Sequence, residues 1–346
     1  MYKIETEIFE QYGSLAQTYD YLVGHVEEIK EFWEKGNFRS ITFIGCGSSY
    51  SLCKSAEISA KLLLGCPANS IPGGDVLLNF TMYEELLKGS LLIIPSRSGS
   101  TSEIVNVAKL AKEQLGSKCI AISAVKASEL SRICDMSFEL PWAFDESVCQ
   151  TRTVTNLYMA DLMIVGAMAG NTGLLQEIKE AVNNEEQFIK QNTEKLKAVA
   201  EKALWDKVIV LSDGELKGIG DEGSLAFKEI SQLQSNHYHI LDVRHGPMVL
   251  IDERTLLIIA CSPYSYKYQH ELINDIKKKK ATVVTVSSEA GDSMDSDLDI
   301  KLKAYKNYGV NGIPFIFISQ AISYFRAMKD GLDPGNPPGL DPWIKL

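Results

Sequence analysis

A polar stretch at the end of an apolar run is the first candidate for chemistry in this chain. Residues 94–103 read IPSRSGSTSE and begin at the last residue of the apolar tetrapeptide LLII, 91–94. Five of these ten residues carry a hydroxyl side chain. Where a strand leads into a helix, the first N–H groups of the helix are unpaired and can bind an anion. The hydroxyls of this stretch would add further hydrogen-bond donors at the same place. A helix cap alone would need one of these hydroxyls. The stretch therefore predicts a phosphate-binding loop, in which Gly99 lets the backbone approach the anion closely.

A second serine-rich turn follows the first predicted strand. The segment 45–51 reads GCGSSYS, and it follows the apolar segment 40–45. Gly47 frees the turn, while Ser48 and Ser49 stand at the expected start of a helix. Taken alone, this turn is as typical of an ordinary strand–helix connection as of a ligand-binding turn. Because ligands of open α/β sheets bind beyond the carboxyl ends of the strands, the two turns together indicate one site.

Two further residues are candidates for acid–base chemistry. His245 lies in RHGP, where Gly and Pro predict a tight, irregular turn. A histidine that only stabilises this turn is as good an interpretation as a functional one. Glu229 lies among apolar neighbours in FKEISQL, where a carboxylate is costly to bury without a partner or a role. A solvated helix face is the alternative for Glu229. His237 and His239 alternate in HYHIL, as side chains of an ordinary strand also do.

The hexapeptide GIGDEG matches the glycine pattern of dinucleotide-binding loops. That pattern requires its glycines directly after a strand, whereas the predicted strand here ends near Ser212. Asp221 and Glu222 would also face a negatively charged pyrophosphate. The sequence thus argues against a nicotinamide dinucleotide. We expect no cofactor and no metal, since no set of metal ligands stands out.

Strands and helices that recur twice along the chain must position these residues. From Ile41 to Leu91 is 50 residues and from Val208 to Leu256 is 48, and the tetrapeptide LLII begins at both Leu91 and Leu256. The next predicted strand begins 28 residues later in the first copy and 27 in the second. Alternating strands and helices predict parallel, doubly wound sheets, so the fold class is α/β with two copies of one unit.

The predicted organisation has five parts. An N-terminal helical segment covers residues 1–39, and the two α/β domains cover 40–170 and 201–330. A helical connector, 171–200, lies between them, and a Pro/Gly-rich tail, 331–346, ends the sequence. The tail cannot form a helix and can drape over the body and reach a site.

Composition excludes several classes of partner. The 346 residues carry a net charge of −10, which argues against a nucleic-acid surface. The run Lys277–Lys280 is interpreted as a solvated helix end. No apolar run reaches about 18 residues and the N-terminus is charged, so we expect no membrane partner and a cytoplasmic location. The seven cysteines form no CxxC pair, which predicts neither a zinc site nor a disulfide framework.

Five motifs together resemble the double-domain members of the SIS (sugar isomerase) family. GCGSSY, SRSGSTSE, ESVCQTRT, FKEIS and RHGP occur in the family's order over roughly residues 40–346. Aminosugar-phosphate deaminases and tagatose-6-phosphate ketose/aldose isomerase-like proteins are the most similar groups, and the isomerase half of glucosamine-6-phosphate synthase is more distant. The resemblance implies two tandem, flavodoxin-like SIS domains related by internal duplication.

The resemblance also implies a role for each motif. Glu229 would carry a proton between C1 and C2 of a sugar, and His245 would help to open the ring from the neighbouring subunit. A homodimer or a higher homo-oligomer is therefore expected. The phosphate would be held by Ser96, Ser98 and Thr101 with Arg97 beside them, and the sugar lined by Cys46, Gly47, Ser48, Ser49, Val148 and Gln150.

Departures from the synthase bear on the reaction that we expect. Ala226 stands where the synthase has a lysine, Pro342 lies near the position of its tail lysine, and Arg97 replaces an amide. With no N-terminal glutaminase segment in this sequence, glutamine-dependent amino transfer is not expected. The expected function is a metal-independent aminosugar-6-phosphate deaminase or isomerase that acts on a hexose 6-phosphate by C1/C2 proton transfer.

Three alternatives remain open at the level of sequence. Two are enzymes: a tagatose-6-phosphate-type ketose/aldose isomerase and a fructosamine-6-phosphate deglycase. The third is a non-catalytic sugar-phosphate sensor, against which the retention of Glu229 and His245 argues. The second LLII strand runs into ACSPYSYK without an S-x-S-G sequence, so phosphate binding is expected in the first copy alone.

Overall fold

The computed structural model describes residues 2–202 and 204–346, which form two compact units. Each unit contains a five-stranded sheet in which every pair of neighbouring strands is parallel. Among the described residues, the first unit comprises 10–146, 150–183 and 341–346, and the second comprises 2–9, 147–149, 184–202 and 204–340.

The ten strands are numbered along the chain. They are β1 (Ser40–Gly45), β2 (Ala68–Pro72), β3 (Ser90–Ser96), β4 (Lys118–Ser123), β5 (Met136–Glu139), β6 (Lys207–Leu211), β7 (Gln234–Tyr238), β8 (Thr255–Ala260), β9 (Thr282–Ser288) and β10 (Leu298–Leu302).

The thirteen α-helices of the described residues are numbered in the same way. They are α1 (Lys3–Phe9), α2 (Tyr12–Val23), α3 (Val26–Gly36), α4 (Ser48–Leu64), α5 (Gly73–Leu78), α6 (Phe80–Leu87), α7 (Ser102–Leu115), α8 (Glu129–Ile133), α9 (Arg152–Met168), α10 (Thr172–Glu201), α11 (Lys217–Ile230), α12 (Tyr266–Lys277) and α13 (Gly312–Asp330).

The first unit is a doubly wound sheet with helices on both faces. Its strand order is β2-β1-β3-β4-β5, the flavodoxin-like order, in which β1 and β3 diverge to leave a crevice at their carboxyl ends. The three central strands are apolar because helices cover them on both sides. On one face α4 packs with α9, and on the other the core includes side chains of α5, α6 and α7.

The second unit repeats this topology. Its order, β7-β6-β8-β9-β10, places β8 where β3 stands in the first sheet. Helices α11 and α13 pack together, and α12 contributes to a separate core with β6, β8 and β9. The predicted fold class, two tandem parallel doubly wound α/β domains, is confirmed.

Sequence patterns located the central strands but not the edge strands of the first sheet. Edge strands β2 (ANSIP) and β5 (MSFE) carry polar side chains because they are covered less completely. Helix α11 begins at Lys217, so the hexapeptide GIGDEG lies inside this helix and not directly after a strand. Helix α12 ends at Lys277, and the rest of the lysine run follows the helix. No helix of the described residues is long and apolar enough to cross a membrane.

Two of the acidic side chains that are buried in helices have raised pKa values. Asp161, in α9 of the first unit, is 1% exposed, and burial holds the pKa of its carboxyl well above the ordinary value. Glu185, in α10 of the second unit, is also 1% exposed, and burial raises its pKa from 4.5 to about 8. Both groups are therefore protonated in the folded chain at a pH where the unfolded chain has lost the proton.

We expect Glu185 to make the second unit less stable as the pH rises. Between pH 4.5 and about 8 the folded chain keeps a proton that the unfolded chain releases. The free energy of unfolding falls across this window by up to about 1.4 kcal/mol per pH unit. In Glu185→Gln this contribution disappears, so the denaturation midpoint should fall less between pH 5 and pH 7.5 than in the parent.

The neighbouring Glu186 provides the control for this measurement. Its side chain is 48% exposed and pairs with Lys190, so Glu186→Gln should keep the pH dependence of the parent chain. Urea midpoints at several pH values compare the three proteins. If the urea midpoint of Glu185→Gln fell with pH as steeply as that of the parent, the result would contradict the assignment of Glu185 as a buried, protonated carboxyl.

Candidate functional site

One pocket at the carboxyl ends of β1 and β3 gathers most of the predicted binding residues of the first unit. Its volume is about 30 Å³. At 10–15 Å³ for each water-sized position, it suits a group of a few atoms, such as a phosphate, rather than a whole sugar. Its walls include Cys46, Ser49, Ser96, Arg97, Ser98, Thr101 and Gln150, together with Pro95, Ile104, Pro342 and Trp343.

The loop after β3 is held in one conformation by its own serines. Ser96 Oγ accepts a hydrogen bond from the Gly99 N–H at 3.0 Å, and Ser98 Oγ accepts one from the Ser100 N–H at 3.1 Å. Gly99 has a φ of +59°, and a Cβ at this position would lie 2.3 Å from Ser128 Oγ. Only glycine fits both restrictions, so the loop is fixed before any ligand binds.

The start of α7 borders the same pocket. Thr101 is the N-cap residue of this helix, but its side chain makes no capping hydrogen bond. Its hydroxyl lines the pocket instead, which disfavours the simpler interpretation of the stretch as an ordinary helix cap. The positive end of the α7 dipole points to the same place and favours an anion there.

The C-terminal tail forms one wall of the pocket. Arg97 is 4% exposed, and its Nη2 donates to the carbonyl oxygen of Pro342 at 2.5 Å. The Ser102 N–H donates to the Ile344 carbonyl at 3.3 Å, and the Leu346 N–H donates to Ser102 Oγ at 3.0 Å. Residues 341–346 thus lie along the loop, and a buried guanidinium stands beside the pocket.

Cys46 contributes a neutral thiol. Burial, together with the nearby carboxylate of Glu103, raises the pKa of Cys46 to about 11. At neutral pH the side chain is therefore not a thiolate, and thiols react poorly as nucleophiles. Its place in the pocket is suited to binding and not to covalent chemistry.

Gln150 reaches the pocket through a connection that a buried carboxylate organises. Asp145 is 1% exposed, and its Oδ2 accepts hydrogen bonds from the Thr151 and Thr153 N–H groups at 2.8 and 2.9 Å. The Gln150 side-chain oxygen is buried and has no hydrogen-bond partner in the described part of the chain. It is available to a ligand hydroxyl or amine. Sequence reasoning missed Asp145, whose only signal is its position just before the ESVCQTRT motif.

The other predicted residues lie elsewhere. Gly47 is the N-cap residue of α4 and Ser48 its first residue, and neither lines the pocket. Val148, Glu229 and His245 belong to the second unit. There the Val148 N–H donates to the Gly335 carbonyl at 2.8 Å.

The two residues proposed for acid–base chemistry differ in their surroundings within the second unit. Glu229 is half-buried, one residue before the end of α11. His245 is exposed and directly follows the short 3₁₀ helix Asp242–Arg244. The exposed imidazole of His245 is accessible to another protein chain. The half-buried carboxylate of Glu229 remains accessible to a small molecule that binds beside the end of α11.

Two other histidines have structural partners. His237 lies on β7, where its Nε2 is 2.8 Å from Ser212 Oγ. His239 Nδ1 is 2.6 Å from Asp213 Oδ1. These contacts support the simpler interpretation of the alternating HYHIL segment.

Comparison with known proteins identifies the family. A family model described as the SIS domain matches residues 37–173 and 203–323, which is more than half of the chain. The chain belongs to the SIS domain family. The family assignment made from the five sequence motifs is thereby confirmed.

Individual relatives are similar over most of this chain. A glutamine–fructose-6-phosphate aminotransferase (isomerizing) from Methanothermobacter thermautotrophicus is 25% identical over 345 residues, covering 96% of this chain and 56% of the relative. A D-galactosamine-6-phosphate deaminase from a Shewanella species is 28% identical over 262 residues, covering 72% and 64%. The SIS chain thus spans a little over half the length of these curated relatives.

Solved structures share the fold. The crystal structure of tagatose-6-phosphate ketose/aldose isomerase from Escherichia coli superposes with a TM-score of 0.85 and 21% identity, covering 99% of this chain and 97% of that one. At this level of identity the likeness shows the fold alone.

Proposed function

We propose that this SIS protein is an aminosugar-6-phosphate deaminase or isomerase that moves a proton between C1 and C2 of a hexose 6-phosphate. The observation that carries the proposal is the pocket in which three hydroxyls, of Ser96, Ser98 and Thr101, meet the buried cation of Arg97. The similarity to a protein named as a galactosamine-6-phosphate deaminase supports the amino form of the substrate.

The proposed role of the pocket is to hold the phosphate. Hydroxyl and backbone donors, the α7 dipole and the Arg97 guanidinium all favour a dianion. The phosphate lies far from the reacting carbons, so its binding energy serves to orient them. The Gln150 oxygen, which has no partner in the described residues, suits a hydroxyl or an amino group of the sugar.

Glu229 is the proposed general base. In the open-chain aminosugar it would remove the proton from C2, which gives an enol-amine, and return a proton to C1. C2 is then an imine, and water hydrolyses it to the ketone with release of ammonia. C1 is reduced as C2 is oxidised, so the reaction balances without an external oxidant. One carboxylate that takes and returns one proton is sufficient for the transfer.

We also propose that the protein acts as a homodimer in which His245 enters the site of the neighbouring subunit. The residues around His245 present unusual apolar surface: Leu241 is 44% exposed, Val249 is 81% exposed and Leu250 is 53% exposed. Apolar side chains clustered in one exposed segment are typical of an interface. Light scattering on the purified chain measures its mass.

Ammonia release from a panel of 2-amino-2-deoxyhexose 6-phosphates tests the reaction. We expect release from at least one member, with formation of the matching ketose 6-phosphate in equal amount. Interconversion of aldose and ketose phosphates without release of ammonia would indicate that the protein is an isomerase and not a deaminase. Release of an amino acid from a fructosamine 6-phosphate would indicate a deglycase. Binding without turnover of any member would make the protein a sensor.

Removing a hydroxyl from the phosphate pocket should weaken substrate binding more than catalysis. In Ser98→Ala or Thr101→Val a hydrogen bond to a charged group is lost, and such a bond contributes about 1.5–3 kcal/mol. We expect the KM for the sugar phosphate to rise by roughly 10- to 100-fold, with a smaller change in kcat. Steady-state kinetics on the purified variants measures both constants.

Ser100→Ala is the matched control in the same loop. The Ser100 hydroxyl donates to the Ser98 carbonyl at 3.3 Å and does not line the pocket. Its replacement should leave KM within a few-fold of the parent value. A KM in Ser98→Ala equal to that in Ser100→Ala would argue against the assigned phosphate site.

A further inference from the structure

A second cavity lies at the carboxyl edge of the sheet of the second unit. Its volume is about 170 Å³, and it opens where β8, β9 and β10 end. Because β8 stands where β3 stands in the first sheet, the cavity lies at the same edge of its sheet as the phosphate pocket, but on the side of β9 and β10, the counterparts of β4 and β5. Its walls include Cys261, Tyr266, Ser287, Tyr305, Tyr308 and Asn311.

The walls of this cavity differ in chemistry from those of the phosphate pocket. Three tyrosine rings line it, and none of its lining side chains in the described residues is an acid, a lysine or an arginine. Burial raises the pKa of Cys261 to about 12, so this thiol is also uncharged at neutral pH. An anion would find no countercharge here, whereas an uncharged ring would find aromatic faces.

Two polar groups that line the cavity have no hydrogen-bond partner within the described residues, the Tyr266 hydroxyl and Asn311 Oδ1. Asn311 is 8% exposed, and its Oδ1 makes no hydrogen bond within the described residues. A buried acceptor of this kind costs about 1–3 kcal/mol when unsatisfied, so a ligand N–H that reaches it would recover that cost. Asn311 precedes α13, and its side chain makes no capping hydrogen bond to that helix. Its amide therefore has no evident structural task.

Ser287 supplies a second polar group with a fixed orientation. Its Oγ donates to Asp299 Oδ1 at 2.8 Å and accepts from Lys301 Nζ at 2.9 Å. These charged groups do not line the cavity themselves. They hold the hydroxyl oxygen in place at the end of β9 and leave the surface of the cavity neutral.

We propose that this cavity binds an uncharged, planar heterocycle of about a dozen non-hydrogen atoms, of the nucleobase class, through an N–H donated to Asn311 Oδ1. At 10–15 Å³ for each water-sized position, 170 Å³ matches a ligand of this size. The tyrosine rings favour a flat ligand. Asn311 Oδ1, which can only accept, requires a donor on the edge of that ligand, and the Tyr266 hydroxyl can donate to it or accept from it. Binding here is independent of the proposed reaction, because no residue of this cavity belongs to the phosphate pocket.

Saturation-transfer NMR with free adenine and free uracil at millimolar concentration tests the proposal on the full-length protein. We expect transfer to at least one base, and roughly tenfold weaker binding or more in Asn311→Leu, which removes the acceptor at similar volume. Ala304→Trp, at the exposed rim, should abolish the signal by filling the cavity. Asn183→Leu, at an exposed position of α10, is the matched control and should bind as the parent does.

Three outcomes would overturn the proposal. They are no transfer to either base in the parent protein, equal affinity in Asn311→Leu and Asn183→Leu, and displacement of the bases by excess glucose 6-phosphate. The last result would place the bases in the phosphate pocket of the first unit. Transfer to unphosphorylated glucose but not to the bases would likewise contradict the assigned class of ligand.

Discussion

Replacement of Glu229 by glutamine should abolish turnover while sugar phosphate still binds. Glutamine keeps the size of the side chain but cannot take a proton, and general base catalysis contributes about 10²- to 10⁴-fold. We expect kcat to fall by that factor and the dissociation constant of the sugar phosphate to change only a few-fold. Calorimetry measures binding, and ammonia release or ketose formation measures turnover.

Glu271→Gln is the control for this substitution. Glu271 is an exposed residue of α12 in the same unit, so its replacement tests whether loss of one surface carboxylate affects the rate. It should leave kcat unchanged. A Glu229→Gln protein that keeps full kcat would refute the base assignment, and one that also loses binding would indicate a structural role for Glu229.

Mixed dimers of two inactive variants should recover activity. Glu229→Gln and His245→Ala are each expected to be inactive, because each site lacks one of its two groups. If His245 enters the neighbour's site, a mixed dimer contains one site with both native residues and one with neither. Co-expression with two different affinity tags isolates mixed dimers, which should show about half the parent activity per dimer.

A double variant supplies the control for the mixing experiment. Dimers of Glu229→Gln with Glu229→Gln/His245→Ala contain no complete site under either arrangement and should stay inactive. Mixed dimers of the two single variants that also stay inactive would show that Glu229 and His245 act within one subunit. That result would leave the chemistry of Glu229 intact and remove the neighbour-supplied histidine.

The duplicated fold was predictable because its signal is local. Buried central strands such as SITFIG and LLII must be apolar wherever both faces are covered, and their repeated spacing reports the second copy. The phosphate-loop hypothesis rested on the same kind of information, since SRSGSTSE connects one strand to the next helix. Edge strands β2 and β5 escaped prediction because partial exposure permits polar residues such as Asn69 and Ser137.

The sequence alone therefore determined the family, the repeat and the residue types of the loop that follows β3. Only the tertiary structure showed how the C-terminal tail meets that loop. Pro342 accepts a hydrogen bond from Arg97 across a separation of 245 residues, whereas Cys46 and Gln150 were already expected beside Ser96 from the two turns and the family resemblance. The cavity around Asn311 was equally invisible, because its walls come from the ends of three strands. Local patterns record burial and turns, whereas contacts between remote segments depend on how the whole chain packs.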